Sequence, residues 1–560
     1  MAKSIEADWV VVGGGSAGCV IAGRLSEDSS KHVVLVEAGP DWRSSDASLE
    51  LRSMNGWRAL DETTCAPFQW QGLESRRTTV QTPRAHLRGK GLGGSSVVNG
   101  MIAIRATVDD YDRWARSGCP GWSYDEVLPY LRRMEDDANF GDQPYHGTGG
   151  PIPVVRLPRE EWGPVDDALA ESALGLGYAW CDDHNAPTGT GVSPYGISAR
   201  NGARVTTNDG YLEPARERSN LRVFGGALVD RVILEGDRAT GVRVRIGGEW
   251  TDVRSQGIVV CAGAIHSPAI LLRSGIGPDG PVARLPVGEG LQDHPLALFW
   301  LFLRPEVRPE LDARQTNCCL RYSSEIAGAG ENDMMIVSVN QTLALPHDVT
   351  AALAAKGAGA GGTWGGVGAG QAGGGPGLLC LWANQQVSRG RLRLVSPDPD
   401  VHPAIEEDLL HEDSDLVRMR DGVRRALELL ADPSSFGSVL EHAAIDLTGR
   451  GVDALSEDAA IDRWLLDTVG DTGHICGTCR MGAPDDPRSV VDPQGRVLGI
   501  EGLWVADASV FPEVPRANTN LPTIAAAERL SDLIRGASDL EVGSREHFVS
   551  HAASRADMGS

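Results

Sequence analysis

The sequence predicts a mixed α/β fold made of two intertwined parts, and three observations carry that expectation. The first is a strand–turn–helix–strand unit near the start of the chain that ends on an acid. The second is a set of segments between residues 204 and 263 in which apolar and charged residues alternate, as in a sheet with one solvated face. The third is length: 560 residues are too many for one simple core, and an apolar run that belongs with the opening unit returns at 258–263.

The opening unit is 9–39. Trp9, Val10, Val11 and Val12 form an apolar run, Gly13, Gly15 and Gly18 follow as G-x-G-x-x-G, and Val20, Ile21 and Leu25 keep a helical spacing. Val33–Val36 is a second apolar run, closed by Glu37. This order suits a dinucleotide. Gly13 permits the sharp turn, Gly15 admits a pyrophosphate to the backbone, Gly18 lets the helix lie on the strand, and the helix N-terminus faces the phosphates. Glu37, 24 residues after Gly13, stands where a carboxylate bonds a ribose hydroxyl. An acid here disfavours a 2′-phosphate and hence NADP; it leaves FAD and NAD open.

Residues 40–85 are irregular and hold Trp42, Trp57 and Trp70, which either cover a cofactor or pack a loop. Gly89, Gly91, Gly93 and Gly94 then place four glycines in six residues, directly before Ser95, Ser96, Val97 and Val98. Glycine is costly in backbone entropy and marks a tight turn or a close approach, so this is a second backbone cradle for a large cofactor. Ser123 with Glu126 caps a helix in the 109–137 segment, and another helix covers 164–176. Strands follow at Leu221–Phe224, 227–234, 240–246 and 258–263, the last running into a helix start that holds His266. Residues 296–395 supply most of a second part, with strands at Met334–Val339 and 378–383 around a Gly-rich, flexible insert at 355–376. Helices are expected at 412–431, 456–467 and 522–536, and a frayed tail at 537–560. Between the last two helices lie a loop with His474 and a short buried strand ending at Asp507.

Composition excludes some classes. A net charge of −24 disfavours nucleic acid and anionic membrane surfaces. No cationic segment with an apolar stretch precedes Trp9, and no apolar run approaches ~18 residues, so neither a signal peptide nor a membrane span is expected. Ten scattered cysteines read as reduced thiols of a cytoplasmic protein. Cys476 and Cys479 lack a second pair, so no metal site is expected there.

Taken together, these motifs resemble the glucose–methanol–choline (GMC) flavoprotein oxidoreductases over nearly the whole chain. The carriers are 9–39, the 89–99 loop, Gly263-Ala264 with Ser267-Pro268 and Ser274–Gly277, 287–295, His474 with Gly477-Thr478, 506–509 and Asn518-Thr519-Asn520. The stretches GDQPYHGTGGPIPV and VPRANTNLPT resemble bacterial alcohol oxidases of the hydroxymethylfurfural and aryl-alcohol type. The resemblance implies a Rossmann-like FAD-binding domain (1–155, 204–295, 470–536) interleaved with a substrate-binding domain (156–203, 296–469) built on an antiparallel sheet flanked by helices. It implies FAD. Gly13, Gly15, Ser16, Ala17 and Gly18 would lie along the pyrophosphate, Glu37 and Ala38 by the adenosine ribose, and Val229 by adenine. Trp70, Gly94, Ser95, Asn99 and Gly100 would line the flavin side, and Asp507 and Ala508 the ribityl–phosphate region. Some relatives hold FAD covalently on a His at the position that is Val98 here, so non-covalent FAD is expected.

Oxidising an alcohol needs a base poised near neutral pH, and imidazole is the natural candidate. The resemblance gives His474 that role, with Asn520 holding the substrate oxygen; an amide cannot be the base. His294 is read as structural. The implied reaction takes an alcohol to an aldehyde or ketone, with hydride to flavin N5 and O2 reduced to H2O2. A dehydrogenase using a quinone or other acceptor and a non-redox lyase on the same scaffold remain alternatives. A monomer or homodimer is expected, with no nucleic-acid or membrane partner.

Overall fold

The computed structural model describes residues 4–60, 64–310, 313–326, 328–342 and 375–536. Most of the Gly-rich stretch 355–376 and all of the tail 537–560 lie outside the described residues.

Two seven-stranded sheets organise the chain. The first runs Leu221–Phe224, Val33–Val36, Ser4–Val12, Glu249–Val260, Arg238–Ile246, Ala227–Glu235, with Leu503–Val505 also paired to Glu249–Val260. Its left half is parallel, Val10↔Val34 and Val11↔Val259 among the partners. Val10–Val12, Val33–Val36 and Ile258–Val260 are continuously apolar because both faces are covered there. Helix Ser16–Leu25 covers one of them and packs in turn on the final helix Asn520–Arg535.

The alternating segments do not form a sheet of their own. Glu249–Val260 is one twelve-residue strand, longer than the 258–263 expected. Its polar half pairs antiparallel with Arg238–Ile246, and its apolar half pairs parallel with Leu503–Val505. The residue pattern changes where the strand passes from the solvated meander into the buried sheet, which hides its continuity.

The second sheet is antiparallel: Leu440–Ala444, Pro295–Leu303, Gly377–Ala383, Met334–Val339, Cys318–Tyr322, Gly191–Pro194, with Gly470–Asp471 paired to Pro295–Leu303. Alternate residues point to opposite faces. Phe299, Leu301, Ile336, Leu379 and Leu381 face a core shared with helices Pro164–Gly175, Asp413–Leu430 and Asp458–Thr468. Trp300, Phe302, Met335, Val337, Val339 and Trp382 face the other way, against Trp57 and Ile102. No helix among the described residues is long and apolar enough to cross a membrane. The ten cysteines are free thiols, and burial pushes those of Cys476 and Cys479 upward, so they pack as small apolar groups.

Candidate active site

A cavity of about 610 Å³ opens between the two glycine-rich turns and the Trp300 face of the second sheet. Gly13, Gly15, Ser16, Ala17, Glu37, Ala38, Trp70, Gly94, Ser95, Asn99, Gly100, Val229, Asp507 and Ala508 all line it, as do His474 and Asn520. Gly18 does not. A Cβ there would stand 1.8 Å from the Gly13 carbonyl oxygen, so Gly18 serves the helix–strand contact and not the wall. Gly94 has φ +51°, and a Cβ on it would meet the Gly15 Cα at 2.6 Å. The two turns therefore touch backbone to backbone.

Glu37 joins them. Its carboxylate accepts from Gly14 N at 2.6 Å, Gly39 N at 2.8 Å and Gly91 N at 2.9 Å. The acid assigned from sequence to a ribose is thus already tied to three peptide groups. Asp507 behaves likewise, accepting from Gly263 N at 2.8 Å, Ser267 Oγ at 2.5 Å and Ser509 N at 2.8 Å. It stands at the N-terminus of helix Gly263–Arg273, where a carboxylate is favoured; burial nevertheless raises its pKa against those donors. Trp70 stacks on His266 with ring centroids 4.1 Å apart, beneath the Lys90 ammonium at 4.6 Å. Burial pushes His266 down to about 3; the residue lines the cavity and its Nε2 is buried without a protein partner.

His474 lies in the loop after Gly470–Asp471. That short strand pairs with Pro295 and Leu296, and Gln292 bridges to Cys476, so residues 292–296 lie beside 470–476. The pairing sets Asp293 and His294 against Thr472 and His474. His474 Nδ1 is 2.6 Å from Thr472 Oγ1 and 2.9 Å from His294 Nδ1. Its backbone N donates to Asp293 Oδ2 at 2.8 Å. Burial, aided by His294 and Arg88, holds its pKa well below the usual histidine value, which leaves a neutral imidazole. Asp293, His294 and His474 bring three possible ligand atoms within 4.8 Å, but each of these is already hydrogen-bonded inside the cluster.

The amide beside His474 is Asn518, not Asn520. Asn518 Nδ2 is 3.1 Å from His474 Nε2, and its Oδ1 is buried without a partner. Asn520 donates to Ser16 Oγ at 3.1 Å instead. The final helix begins at Asn520, two residues before the expected start. Asn520 therefore turns with the first helical turn, whereas Asn518 stays in the preceding loop, held by Arg516 to Asp110 and Asp109. Thr472, Asp293, His294 and Asn518 are the residues that sequence reasoning missed as neighbours of His474. The only signal for the first three was their place in short runs flanking a strand pair formed across 180 residues.

Comparison with known proteins places the chain as a whole. GMC oxidoreductase family models match residues 7–296 and 386–527. The chain belongs to the GMC oxidoreductase family. It is 33% identical to the 5-(hydroxymethyl)furfural oxidase of Methylovorus sp., over 94% of this chain and 98% of that one. It is also 33% identical to the oxygen-dependent choline dehydrogenase of Vibrio vulnificus, over 94% of each. The pyridoxine 4-oxidase structure from Mesorbium loti superimposes with a TM-score of 0.80 at 28% identity, covering 95% of this chain and 99% of that one. GMC oxidoreductases are FAD-dependent flavoproteins that act on alcohols. The structure fits that cofactor in two respects: the touching Gly15 and Gly94 turns on the wall, and the buried, partnerless Nε2 of His266, a residue of the same wall.

Four buried histidines give this enzyme an acid limit. His266 and His294 are pushed down to about 3 and about 4 by burial, and His184 and His474 also lie well below the usual value. In the unfolded chain they take protons from about pH 6.5 downward. Each then removes about 1.4 kcal/mol of stability per pH unit until its folded pKa is reached. His86 and His146 are raised, against burial, by carboxylate neighbours, so their contribution is complete below about pH 6.5 and adds no slope there. Burial raises Asp293 to about 7 and raises Asp507 and Asp421 as well, and these carboxyls gain stability as the pH falls, which offsets part of the histidine slope. The melting temperature should fall on balance from about pH 6.5 to about pH 4.5, and His184→Gln should flatten the fall. A His184→Gln profile parallel to that of the wild type contradicts a neutral buried imidazole at that position.

Proposed function

We propose that this enzyme oxidises an uncharged alcohol to the aldehyde or ketone, with His474 as the base. The observation that carries the reading is a neutral, buried imidazole whose Nε2 lies on the cavity beside the Asn518 amide. The hydroxyl proton passes to His474 Nε2. Asn518 Nδ2, which in the free site donates to His474 Nε2 at 3.1 Å, has two hydrogens and gives one to the substrate oxygen, holding it within about 3 Å of that nitrogen, the reach proton transfer requires. Bound FAD supplies the hydride acceptor at N5 and the route of the electrons to O2, with H2O2 as product. Oxygen as acceptor is supported by relatives named as oxidases or as oxygen-dependent. Val98 offers no side chain for a covalent flavin link, which supports non-covalent FAD. The division into a FAD-binding domain (1–155, 204–295, 470–536) and a substrate-binding domain (156–203, 296–469) is supported by the two sheets, which draw on those segments except at Pro295 and Gly470–Asp471.

The wall argues for a neutral substrate. Its described carboxylates are Glu37, Asp471 and Asp507. Glu37 and Asp507 are each held by three donors, and Asp471 pairs with Arg77 at 2.7 Å and stands 3.5 Å from His86. None is left for a cationic headgroup. Trp57, Leu60, Ile102 and Val339 suit a furan or benzene ring instead. Under anaerobic conditions 5-(hydroxymethyl)furfural and benzylic alcohols should bleach the flavin, choline should not, and peroxide should appear in air. Bleaching by choline in preference to the aryl alcohols would overturn the substrate reading; no bleaching by any alcohol would overturn the reaction.

A further inference from the structure

We propose that His294, Thr472 and Asp293 are positioning residues that hold the hydrogen of His474 on Nδ1, and so keep the lone pair of Nε2 turned to the cavity. The inference rests on His474 being the base, and it follows from counting hydrogens along one chain of contacts.

The count starts at a group that can only accept. Pro515 O lies 3.0 Å from His294 Nε2, so that nitrogen carries the hydrogen. Burial keeps His294 neutral, and a neutral imidazole has one N–H. His294 Nδ1 is therefore bare. It stands 2.9 Å from His474 Nδ1, and two bare nitrogens at that distance repel, so the hydrogen between them belongs to His474. Thr472 Oγ1, 2.6 Å from the same atom, gives its own hydrogen to Asp293 Oδ1 at 2.8 Å and turns a lone pair to His474. Asp293 can take that hydrogen because its oxygens already accept from the backbone N–H groups of His294 at 2.7 Å, His474 at 2.8 Å and Thr472 at 3.3 Å; burial pushes its pKa up to about 7, so the count is that of the ionised form above that pH.

At the other side of the ring, Asn518 Nδ2 is a donor aimed at His474 Nε2 from 3.1 Å. The opposite tautomer would set N–H against N–H there and lone pair against lone pair at His294. Every contact of the ring thus selects one tautomer. A solvent-exposed neutral histidine exchanges between two, and only one of them presents a base to the cavity. When Nε2 takes the substrate proton, the Nδ1–H already has two acceptors, and Asp293 lies one hydroxyl behind it. The arrangement differs from a base oriented directly by a carboxylate, because a threonine hydroxyl and a second imidazole share that task.

Nitrogen-15 spectra of histidine-labelled, FAD-loaded enzyme without substrate test this apart from turnover. The His474 signals are those missing from His474→Ala. The wild-type spectrum should show a protonated Nδ1 and a bare Nε2 at about pH 8, above the raised pKa of Asp293; a hydrogen on Nε2 there overturns the proposal. In Thr472→Val/His294→Phe, both acceptors are gone. Only the Asn518 donor then favours Nδ1–H, so the signals should shift toward the Nε2–H tautomer, and the limiting rate of anaerobic flavin reduction should fall at least about 10-fold with the substrate's half-saturating concentration little changed. Thr472→Ser, which keeps the hydroxyl, should return the wild-type spectrum. A folded double variant with unchanged spectrum and rate also overturns it. If the spectrum is as expected but His474→Ala reduces its flavin normally, it is the assignment of the base that fails and not the tautomer.

Discussion

Replacing His474 by alanine should slow anaerobic flavin reduction at least about 100-fold while leaving FAD bound, a loss of about 2.7 kcal/mol of transition-state stabilisation. The size follows from the chemistry. An alcohol keeps its proton at neutral pH, hydride departs readily only from an oxygen gaining alkoxide character, and no other described wall residue offers a bare, neutral nitrogen beside an amide. His266 is neutral too, but it stacks beneath Trp70 at the Gly263 helix, away from Asn518. FAD should remain because the cofactor wall is built from the two turns, Trp70 and Asp507, none of which touches the imidazole. Stopped-flow bleaching with the best substrate from the screen reads the rate; near-normal bleaching would sink the assignment. The amides give an internal control. Asn518→Ala should cost about 10-fold, since substrate orientation is lost but the base stays. Asn520→Ala should cost less, because its amide is engaged with Ser16. The reverse order would return the substrate oxygen to Asn520.

The contrast between those two asparagines shows what the sequence could express. The turns at 13–18 and 89–94 were legible because glycine there has a local, backbone cause: at Gly18 and Gly94 a Cβ would strike another main chain. Buried parallel strands were legible because continuous Val and Ile runs have few other uses. Which amide stands beside His474 was not legible. It depends on where the final helix begins, and at about 100° per residue two positions apart point in nearly opposite directions. Nor was the His294–His474 contact, whose partners are 180 residues apart and meet only because Pro295 and Leu296 pair with Asp471 and Gly470. Apolar alternation announces that a strand exists; it does not name the strand beside it. The same limit hid the continuity of Glu249–Val260, where a change of environment along one strand reads as two elements.

Glu37→Ala should both release FAD on desalting and lower the melting temperature, and the second effect should persist in protein stripped of FAD. If Glu37 served a ribose alone, its removal would weaken only the loaded protein. In the structure its carboxylate is buried and accepts three main-chain hydrogens, from Gly14 in the first turn, Gly39 after the second strand and Gly91 in the second cradle. Alanine leaves three donors without an acceptor. At about 1–3 kcal/mol for each buried group left unpaired, with some recovered by water entering the cavity, the net cost is roughly 3–6 kcal/mol. The cradle suffers first, because Gly14 and Gly91 belong to the two turns that meet at Gly15 and Gly94. Glu37→Gln should be intermediate: its carbonyl oxygen can still serve Gly39 and Gly91, but its amide NH2 then faces the N–H of Gly14. The checks are flavin absorbance after desalting and thermal melts of loaded and stripped protein. A yellow Glu37→Ala protein melting like wild type in both forms would show that the turns hold without the tie. A loss confined to the loaded form would restore the carboxylate to the ribose.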